Sequence, residues 1–182
     1  MILMAEKNPL KLDIVSVRIK KDTSLKSQTP ICSPEDAVKL MGRYLSELDR
    51  EVLCIINLKS DGTPISCHFA SVGSVNESMA HPREIFKTSI LSNAATIIMM
   101  HNHPSGDVIP SRHDTMATDR IARAGRLMGI PLVDHVIVGG GNEKYFSFRK
   151  MNLIDLDTID LESDYHALKM EPVGKCAARE VR

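Results

Sequence analysis

The sequence predicts an α/β fold in which a mixed β-sheet is flanked by helices. A near-continuous apolar run bounded by charged residues lies at 52–58, the pattern of a buried strand, and a further strand is predicted at 132–138. Asp61-Gly62 is a hairpin signal, so the segment that follows should return antiparallel to 52–58. Helix-start signals alternate with the strands, which is typical of a sheet covered by helices.

Length and composition describe one globular domain with tails. The 182 residues are 43% hydrophobic and 25% charged, unlike a disordered chain. Twenty-three basic residues balance 23 acidic ones, which argues against a strongly basic nucleic-acid-binding surface. No stretch approaches the ~18 apolar residues of a membrane span, and the N-terminus has no signal-peptide core. The four cysteines form no CxxC pair, so we expect reduced thiols in a cytoplasmic protein.

Residues 1–31 are expected to form an N-terminal strand and a linker. Apolar residues alternate across 10–20, as in an edge strand, and 21–31 is polar and ends at a proline. A helix should then begin at Ser33-Pro34, with serine as the N-cap and proline in the first position. Its apolar stripe spans three turns, at Val38, Met41, Leu45 and Leu48.

The core domain is expected to cover residues 32–150. Its further predicted elements are a hairpin of strands 52–58 and 65–72, a helix from His81-Pro82 to near Asn93, a strand at 95–100, a helix at 112–128 ended by Gly129, and strands 132–138 and 144–148 around a Gly-Gly-Gly turn. Residues 151–182 show no strong periodicity and are interpreted as a mobile or loosely docked tail.

Two histidines predict a metal site at the end of the strand at 95–100. His101 and His103 are two positions apart. In an extended chain such positions face the same side, about 6.5–7 Å apart, so both imidazoles can converge on one ion. Strand ends that lead into loops are where α/β proteins place their chemistry. The loop that follows contains Pro104, Gly106 and Pro110 and should be stiff.

Asp114 is the candidate third ligand. It lies in the first turn of the predicted helix, where Ser111-x-x-Asp114 is also a capping pattern, so capping of backbone N–H groups is an alternative role. The two roles are compatible, because a capping carboxylate is fixed in place and can still ligate. Two histidines, one carboxylate and a water would form an open, catalytic site for one Zn²⁺ per chain, whereas structural zinc is usually held by four protein ligands.

A hydrolytic zinc site also needs a base that accepts a proton from water. Glu51 precedes the buried strand at 52–58, and Glu84 follows Pro82 in the first turn of a helix. An acid in a first helical turn can simply stabilise the helix dipole, which is the alternative role for Glu84. An acid at the start of an apolar strand is either solvated at the edge or desolvated. Spacing does not decide between the two glutamates.

The segment HNHPSGDVIPSRHD resembles the JAMM signature of the JAB1/MPN metalloprotease fold, H-x-H-x7-S-x2-D. His101, His103, Ser111 and Asp114 fill it without a change in spacing. The upstream NAATIIMM and PREIFK, and the downstream GIPLVDHVIVG and YFSF, are similar to the bacterial RadC family, so the resemblance covers about 33–149. It implies the JAB1/MPN, cytidine-deaminase-like fold. The family's glutamate lies where the strand begins after the first helix, which corresponds to Glu51.

The resemblance implies a zinc metallopeptidase that cleaves peptide or isopeptide bonds. His101, His103 and Asp114 would hold Zn²⁺, Glu51 would act as the base, and Ser111 would hydrogen-bond the developing oxyanion. One alternative is a non-catalytic, metal-stabilised MPN module that binds DNA or a protein partner. Another is a metal phosphoesterase, which would favour two metals where this sequence offers ligands for one.

Two further expectations concern DNA and the segment LVDHVIVG. RadC proteins commonly carry a helix-hairpin-helix-like region ahead of the domain, whereas the residues before Ser33 show a strand-like pattern. DNA binding should therefore be weak and steeply salt-dependent. Asp134 and His135 are expected to form a buried, hydrogen-bonded pair that supports the sheet near the site, rather than to ligate the metal.

Overall fold

The computed structural model describes residues 29–73, 81–139 and 144–154, with isolated positions between 16 and 27. Its first helical segment consists of α1, a π-helical turn and α2, and it is followed by two longer helices and five strands. The elements are α1 (Pro34–Ala37), the π-helical turn (Val38–Gly42), α2 (Arg43–Ser46), β1 (Val52–Leu58), β2 (Pro64–Val72), α3 (Pro82–Leu91), β3 (Thr96–Asn102), α4 (Arg112–Met128), β4 (Leu132–Val138) and β5 (Tyr145–Ser147).

The strands form one sheet in the order β2-β1-β3-β4-β5. β3 and β4 are parallel, and the other neighbouring pairs are antiparallel. The sheet is therefore mixed, which confirms the predicted fold class. Parallel neighbours need a crossover connection, and α4 supplies it between β3 and β4. The N-terminus of α4 consequently follows the carboxyl end of β3 by a single loop, and this loop carries the candidate site.

Each face of the sheet is covered by its own hydrophobic cluster. The first cluster packs α3 and α4 against one face, with Phe86, Ile121 and Met99 at its centre. The second packs α1, the π-helical turn and α2 against the other face, through Val38, Met41 and Leu45. Burial on both faces explains why β1 reads as a continuous apolar run, since all seven of its residues are buried.

The first helical segment differs from its prediction. Ser33 caps it through a capping box with Asp36, as the sequence indicates. The middle turn is π-helical, however, and the helix ends at Ser46, so Leu48 lies beyond it. A single π-helical turn inside an α-helix is rare, and an apolar stripe at α-helical spacing does not predict one.

Several predicted boundaries also change. β3 extends two residues past the predicted end and includes His101 and Asn102, while β5 is shorter than predicted and begins at Tyr145. The predicted strand at 10–20 lies mostly outside the described residues, as do most of the Gly-Gly-Gly turn and the tail beyond Ile154. Within the described part of the chain, no helix is long and apolar enough to cross a membrane.

Glu35 connects the first helix to the far end of the sheet. Its carboxylate accepts hydrogen bonds from the Tyr145 hydroxyl and from Lys150 Nζ, the latter at 2.9 Å. The bond from Tyr145, followed by that from Lys150, lowers the pKa of Glu35 from 4.5 to about 2. A carboxyl group whose pKa is lowered by folding stabilises the folded state at pH values above its unfolded-state pKa. This stabilisation is lost as the pH falls through the folded-state pKa.

We therefore expect Glu35→Gln to make the free energy of unfolding less dependent on pH at acid pH. The parent should lose part of its free energy of unfolding between about pH 4.5 and about pH 2, and the variant should lose less over that range. Urea unfolding at a series of pH values measures this. Glu47→Gln is the control, because Glu47 pairs with Arg43 on its own helix. The same pH dependence in the parent and Glu35→Gln would contradict the prediction.

Candidate metal centre

The two histidines are brought together by the end of β3. His101 pairs with Leu53 on one side and Ile137 on the other, inside the sheet. The backbone N–H of His103 donates to the Val138 carbonyl at 2.9 Å, which continues the extended chain beyond the last residue of β3. Because the chain stays extended, both rings face the same side, and their Nε2 atoms lie 3.0 Å apart.

Asp114 reaches this pair from the first turn of α4. Its Oδ1 lies 3.3 Å from His101 Nε2, and its Oδ2 lies 3.6 Å from His103 Nε2. The same Oδ2 accepts a hydrogen bond from the Ser111 N–H at 2.7 Å, while Ser111 Oγ accepts one from the Asp114 N–H at 3.2 Å. The capping box is thus formed, and the capped carboxylate still faces both imidazoles.

Among the described residues, these three form the group that could hold a metal ion. If one ligand atom is taken from each residue, all three atoms lie within 4.8 Å of one another. The side chains of His101 and Asp114 are 0% and 3% exposed, whereas that of His103 is 13% exposed. The group is therefore buried on two sides and accessible to solvent near His103.

Electrostatics within the cluster are strong. Desolvation alone would raise the pKa of Asp114, but hydrogen bonds to His101 and His103 outweigh it and leave this pKa well below its usual range. The hydrogen bond to Asp114 raises the pKa of His103, and the carbonyl of Asp107 and the charges of Asp114 and Glu51 act in the same direction against burial. Asp114 is thus an anion that attracts positive charge to this point.

The loop after β3 fixes the orientation of the His103 ring. His103 Nδ1 lies 2.7 Å from the Asp107 carbonyl oxygen. A carbonyl only accepts, so Nδ1 carries a proton, and Nε2 is the nitrogen that faces the cluster. Asp107 also accepts a bond from the Ile109 N–H, which forms a turn in this loop. His113, the neighbour of Asp114, is exposed.

Glu51 lies beside the histidines because β1 runs antiparallel to β3. Leu53 pairs with His101, so Glu51, two residues earlier, falls next to His103, and its charge raises the pKa of that histidine. The side chain of Asn102 holds this segment on both sides, since it accepts from Val52 N–H at 2.8 Å and donates to the Arg50 carbonyl at 3.0 Å. Sequence reasoning did not assign this bridging role.

Glu84 lies in a different environment. It pairs with Lys87 and Arg83 on α3, and its charge acts on His68 of β2. The Lys87 bond lowers the pKa of Glu84. This is the helix-terminal role that the sequence offered as its alternative, whereas Glu51 is the glutamate beside the histidine cluster.

Asp134 and His135 are both buried and hydrogen-bonded, but to different partners. Asp134 accepts from Ser147 Oγ at 2.7 Å and from the Arg149 N–H at 3.0 Å. The Nε2 atom of His135 lies 2.8 Å from the Nδ1 atom of His101. Both residues are thus buried and hydrogen-bonded beside the site and neither belongs to the metal cluster, as predicted. Their side chains have different partners, because consecutive residues of a strand project to different sides.

The His135 ring also contacts α4. Its Nδ1 lies 2.6 Å from Thr118 Oγ1. Burial, followed by the charge of His101, holds the pKa of His135 well below its ordinary value. The sequence did not predict a role for Thr118, although this residue follows Asp114 by four positions and therefore lies on the same face of the helix.

Comparison with known proteins is consistent with this geometry. Residues 31–153, well over half of the chain, match the family described as "RadC-like JAB domain". The chain belongs to this family. The matched RadC-like domain begins three residues before α1 and ends one residue before Ile154, the last described residue, and it contains all three residues of the metal cluster.

Relatives of this RadC-like domain occur in both archaea and bacteria. The chain is 41% identical over 119 residues to a UPF0758 protein of Methanosarcina acetivorans, covering 65% of this chain and 51% of the relative. It is 41% identical over 137 residues to a UPF0758 protein of Clostridium beijerinckii, covering 75% of this chain and 59% of the relative. It is 42% identical over 128 residues to a UPF0758 protein of Moorella thermoacetica, covering 70% of this chain and 55% of the relative. The chain spans only about half of these curated relatives, whose names state no activity.

Gly139 leaves room for the loop that orients His103 in the RadC-like domain. A Cβ atom there would lie 2.6 Å from the Gly106 carbonyl oxygen, so Gly139→Ala must displace the loop. We expect the metal affinity of this variant to fall roughly 10-fold or more, the lower end of the effect of losing an outer hydrogen bond to a ligand. Competition with a chelator measures this.

The control for that variant is Gly129→Ala. Gly129 ends α4 with φ +68°, and its surroundings are open. Alanine there should cost about 1–2 kcal/mol of stability through its backbone conformation, yet leave metal affinity unchanged. Equal metal affinities for Gly139→Ala and the parent would show that loop position does not control the site.

Proposed function

We propose that this RadC-like domain is a zinc-dependent hydrolase of amide bonds, acting as a metallopeptidase on a peptide or isopeptide substrate. The observation that carries the proposal is the convergence of two imidazole Nε2 atoms and one carboxylate on a single point, with a second carboxylate, Glu51, next to it. Two histidines and one carboxylate are a ligand set found in catalytic zinc sites, which keep one position open.

The distances within the cluster allow one ion to contact all three residues. The two Nε2 atoms lie 3.0 Å apart, and the two carboxylate oxygens of Asp114 lie 3.3 Å from His101 Nε2 and 3.6 Å from His103 Nε2. With one ligand atom taken from each residue, the three atoms lie within 4.8 Å of one another. Imidazole nitrogen favours Zn²⁺ over Mg²⁺ and Ca²⁺, which prefer oxygen ligands. The donor set and its spacing thus fit one zinc ion held by His101, His103 and Asp114.

Access to the cluster supports catalysis over a purely structural role. Ser111 is exposed and His103 is partly so, whereas His101 and Asp114 are buried. A substrate carbonyl can therefore approach from the side of His103 and Ser111 while the opposite side stays dry. Structural zinc is instead usually closed by four protein ligands.

Two groups of the chain would then act together with the metal. Zinc held by His101, His103 and Asp114 would supply a Lewis acid that polarises the carbonyl and lowers the pKa of water. The Glu51 carboxylate accepts a proton from the attacking water, whose oxygen bonds to the carbonyl carbon, and returns that proton to the amide nitrogen as the C–N bond breaks. Ser111 Oγ accepts the helix-capping bond and so keeps its O–H to donate to the oxygen that becomes negative.

A metal-exchange experiment tests the proposal. The purified chain is stripped with a chelator, restored with Zn²⁺ or with Mg²⁺, and incubated with panels of peptide and isopeptide substrates. We expect about one zinc per chain, with cleavage only after zinc restoration. A chain that cannot take up zinc would refute the metal site. A chain that binds zinc and cleaves no amide would refute the hydrolase and favour a binding module.

A further inference from the structure

We propose that Thr118 and His135 are positioning residues that set the tautomer of His101, so that its Nε2 lone pair points at the metal position. The inference rests on the proposed zinc site but assigns two residues outside the ligand set. It follows from three consecutive hydrogen bonds that connect α4, β4 and β3 and have one consistent arrangement of protons.

The first bond in the chain fixes the hydroxyl proton of Thr118. Thr118 Oγ1 lies 2.6 Å from the Asp114 carbonyl oxygen, four residues earlier on α4. A carbonyl oxygen only accepts, so the hydroxyl must donate to it. Thr118 has a single O–H, and towards any other neighbour it can therefore act only as an acceptor.

The second bond fixes the proton on His135. Its Nδ1 lies 2.6 Å from Thr118 Oγ1, so Nδ1 must carry a hydrogen and donate it. The ring is 1% exposed and stacks on Phe148 with centroids 4.9 Å apart. Its two nitrogens contact a hydroxyl and another imidazole, neither of which is an anion, and a buried charge without an anionic partner is costly. His135 is accordingly neutral and accepts through Nε2.

The third bond transfers this constraint to the ligand. His101 Nδ1 lies 2.8 Å from His135 Nε2, so Nδ1 of His101 carries the hydrogen and donates it. Nε2 of His101, the atom 3.3 Å from Asp114 Oδ1, is then the nitrogen that is left to coordinate a metal ion. A ligating imidazole whose other nitrogen donates a hydrogen bond has a fixed ring orientation and is a stronger base.

The same helix residue also connects the two sides of the cluster. Thr118 binds the backbone of Asp114, the carboxylate ligand, while its oxygen accepts from His135, which holds the histidine ligand. The separation between α4 and β4 therefore sets the positions of both ligands together. On His103 the Asp107 carbonyl fills the equivalent orienting role, so each histidine ligand has a defined acceptor for Nδ1.

Thr118→Val is the variant that breaks this chain. Valine has nearly the same shape as threonine and lacks the hydroxyl, so His135 loses the acceptor for Nδ1. His135 is then free to carry its proton on Nε2 and donate to His101 Nδ1, which forces the proton of neutral His101 onto Nε2. Thr118→Ser keeps the hydroxyl and should restore the parent arrangement.

Thr115→Val serves as the matched control. Thr115 is exposed on the same helix, and its hydroxyl donates to the Ser111 carbonyl four residues earlier, the same kind of bond that Thr118 makes. Its loss removes an equivalent helix hydrogen bond without touching the histidines. Any general effect of replacing threonine by valine in α4 should appear in both variants.

The first measurement is made on the metal-free chain. Two-bond ¹H–¹⁵N NMR spectra at about pH 8.5, two units above the usual histidine pKa of ~6.5, identify the protonated nitrogen of each ring. We expect His101 to be protonated at Nδ1 in the parent, in Thr118→Ser and in Thr115→Val. In Thr118→Val, a substantial fraction of the molecules should carry the His101 hydrogen on Nε2. His101 protonated at Nε2 in the parent would overturn the proposal without any variant being needed.

The second measurement is Zn²⁺ affinity, by competition with a chelator. We expect Thr118→Val to bind zinc 10- to 100-fold more weakly than the parent, the usual effect of losing an outer partner of a ligand. Thr118→Ser and Thr115→Val should stay within about twofold, a negligible free-energy difference. A folded Thr118→Val that matches the parent in affinity and tautomer would overturn the positioning role. The tautomer test needs neither zinc nor turnover, so its outcome is separate from that of the hydrolase.

Discussion

Glu51→Gln is expected to keep about one zinc per chain while amide hydrolysis falls by roughly 10²–10⁴-fold, the range for loss of a general base. Glutamine retains the size of the side chain and part of its hydrogen bonding, so the segment held by Asn102 should stay in place. The amide cannot accept a proton from water, and the step that depends on Glu51 is therefore lost. Metal content and rate are to be measured on the same preparation.

Glu84→Gln is the matched control for this substitution. Glu84 is the other glutamate that the sequence offered as the base, and it pairs with Lys87 on α3. Its replacement should leave both zinc content and turnover near those of the parent. If Glu84→Gln abolished turnover and Glu51→Gln did not, the base assignment would pass to Glu84. Loss of zinc in Glu51→Gln would instead make Glu51 a ligand of a closed, structural site.

The fold class was predictable because strand burial and helix capping each produce a recognisable pattern of neighbouring residues. The continuous apolar run of β1 and the capping box at Ser33 each depend on neighbouring residues only. The three residues of the metal cluster were predictable for a similar reason, since they lie within 14 residues around one strand–loop–helix junction. Local spacing is enough to place them on one side of the chain.

The supporting residues were not predictable from spacing, because their contacts depend on sheet register. Asn102 holds the backbone around Glu51, some 50 residues away, and Thr118 reaches His135 across 17 residues. Both contacts exist only because β1 and β4 pair with β3 in one particular alignment.

Replacement of Asp114, the proposed carboxylate ligand, should give the largest effect expected in this chain. Asp114→Asn should lower zinc affinity by roughly 10²-fold or more, beyond the 10–100-fold loss for outer partners of a ligand, because the anion itself is removed. Amide hydrolysis should disappear with the metal, since the Lewis acid is lost. Asparagine can still accept the Ser111 N–H bond, so the start of α4 should persist. Zinc titration, hydrolysis and thermal unfolding of the variant measure the three consequences.

The chain contains its own control for this substitution. Asp36 occupies the same position in the capping box of α1, where it accepts from the Ser33 N–H at 3.0 Å and no histidine takes part. Asp36→Asn should therefore match Asp114→Asn in its small effect on stability while zinc affinity and turnover stay at parental values. Equal zinc affinities in the two variants would mean that Asp114 only caps α4. A loss confined to Asp114→Asn identifies the capping carboxylate as the one that also holds the metal.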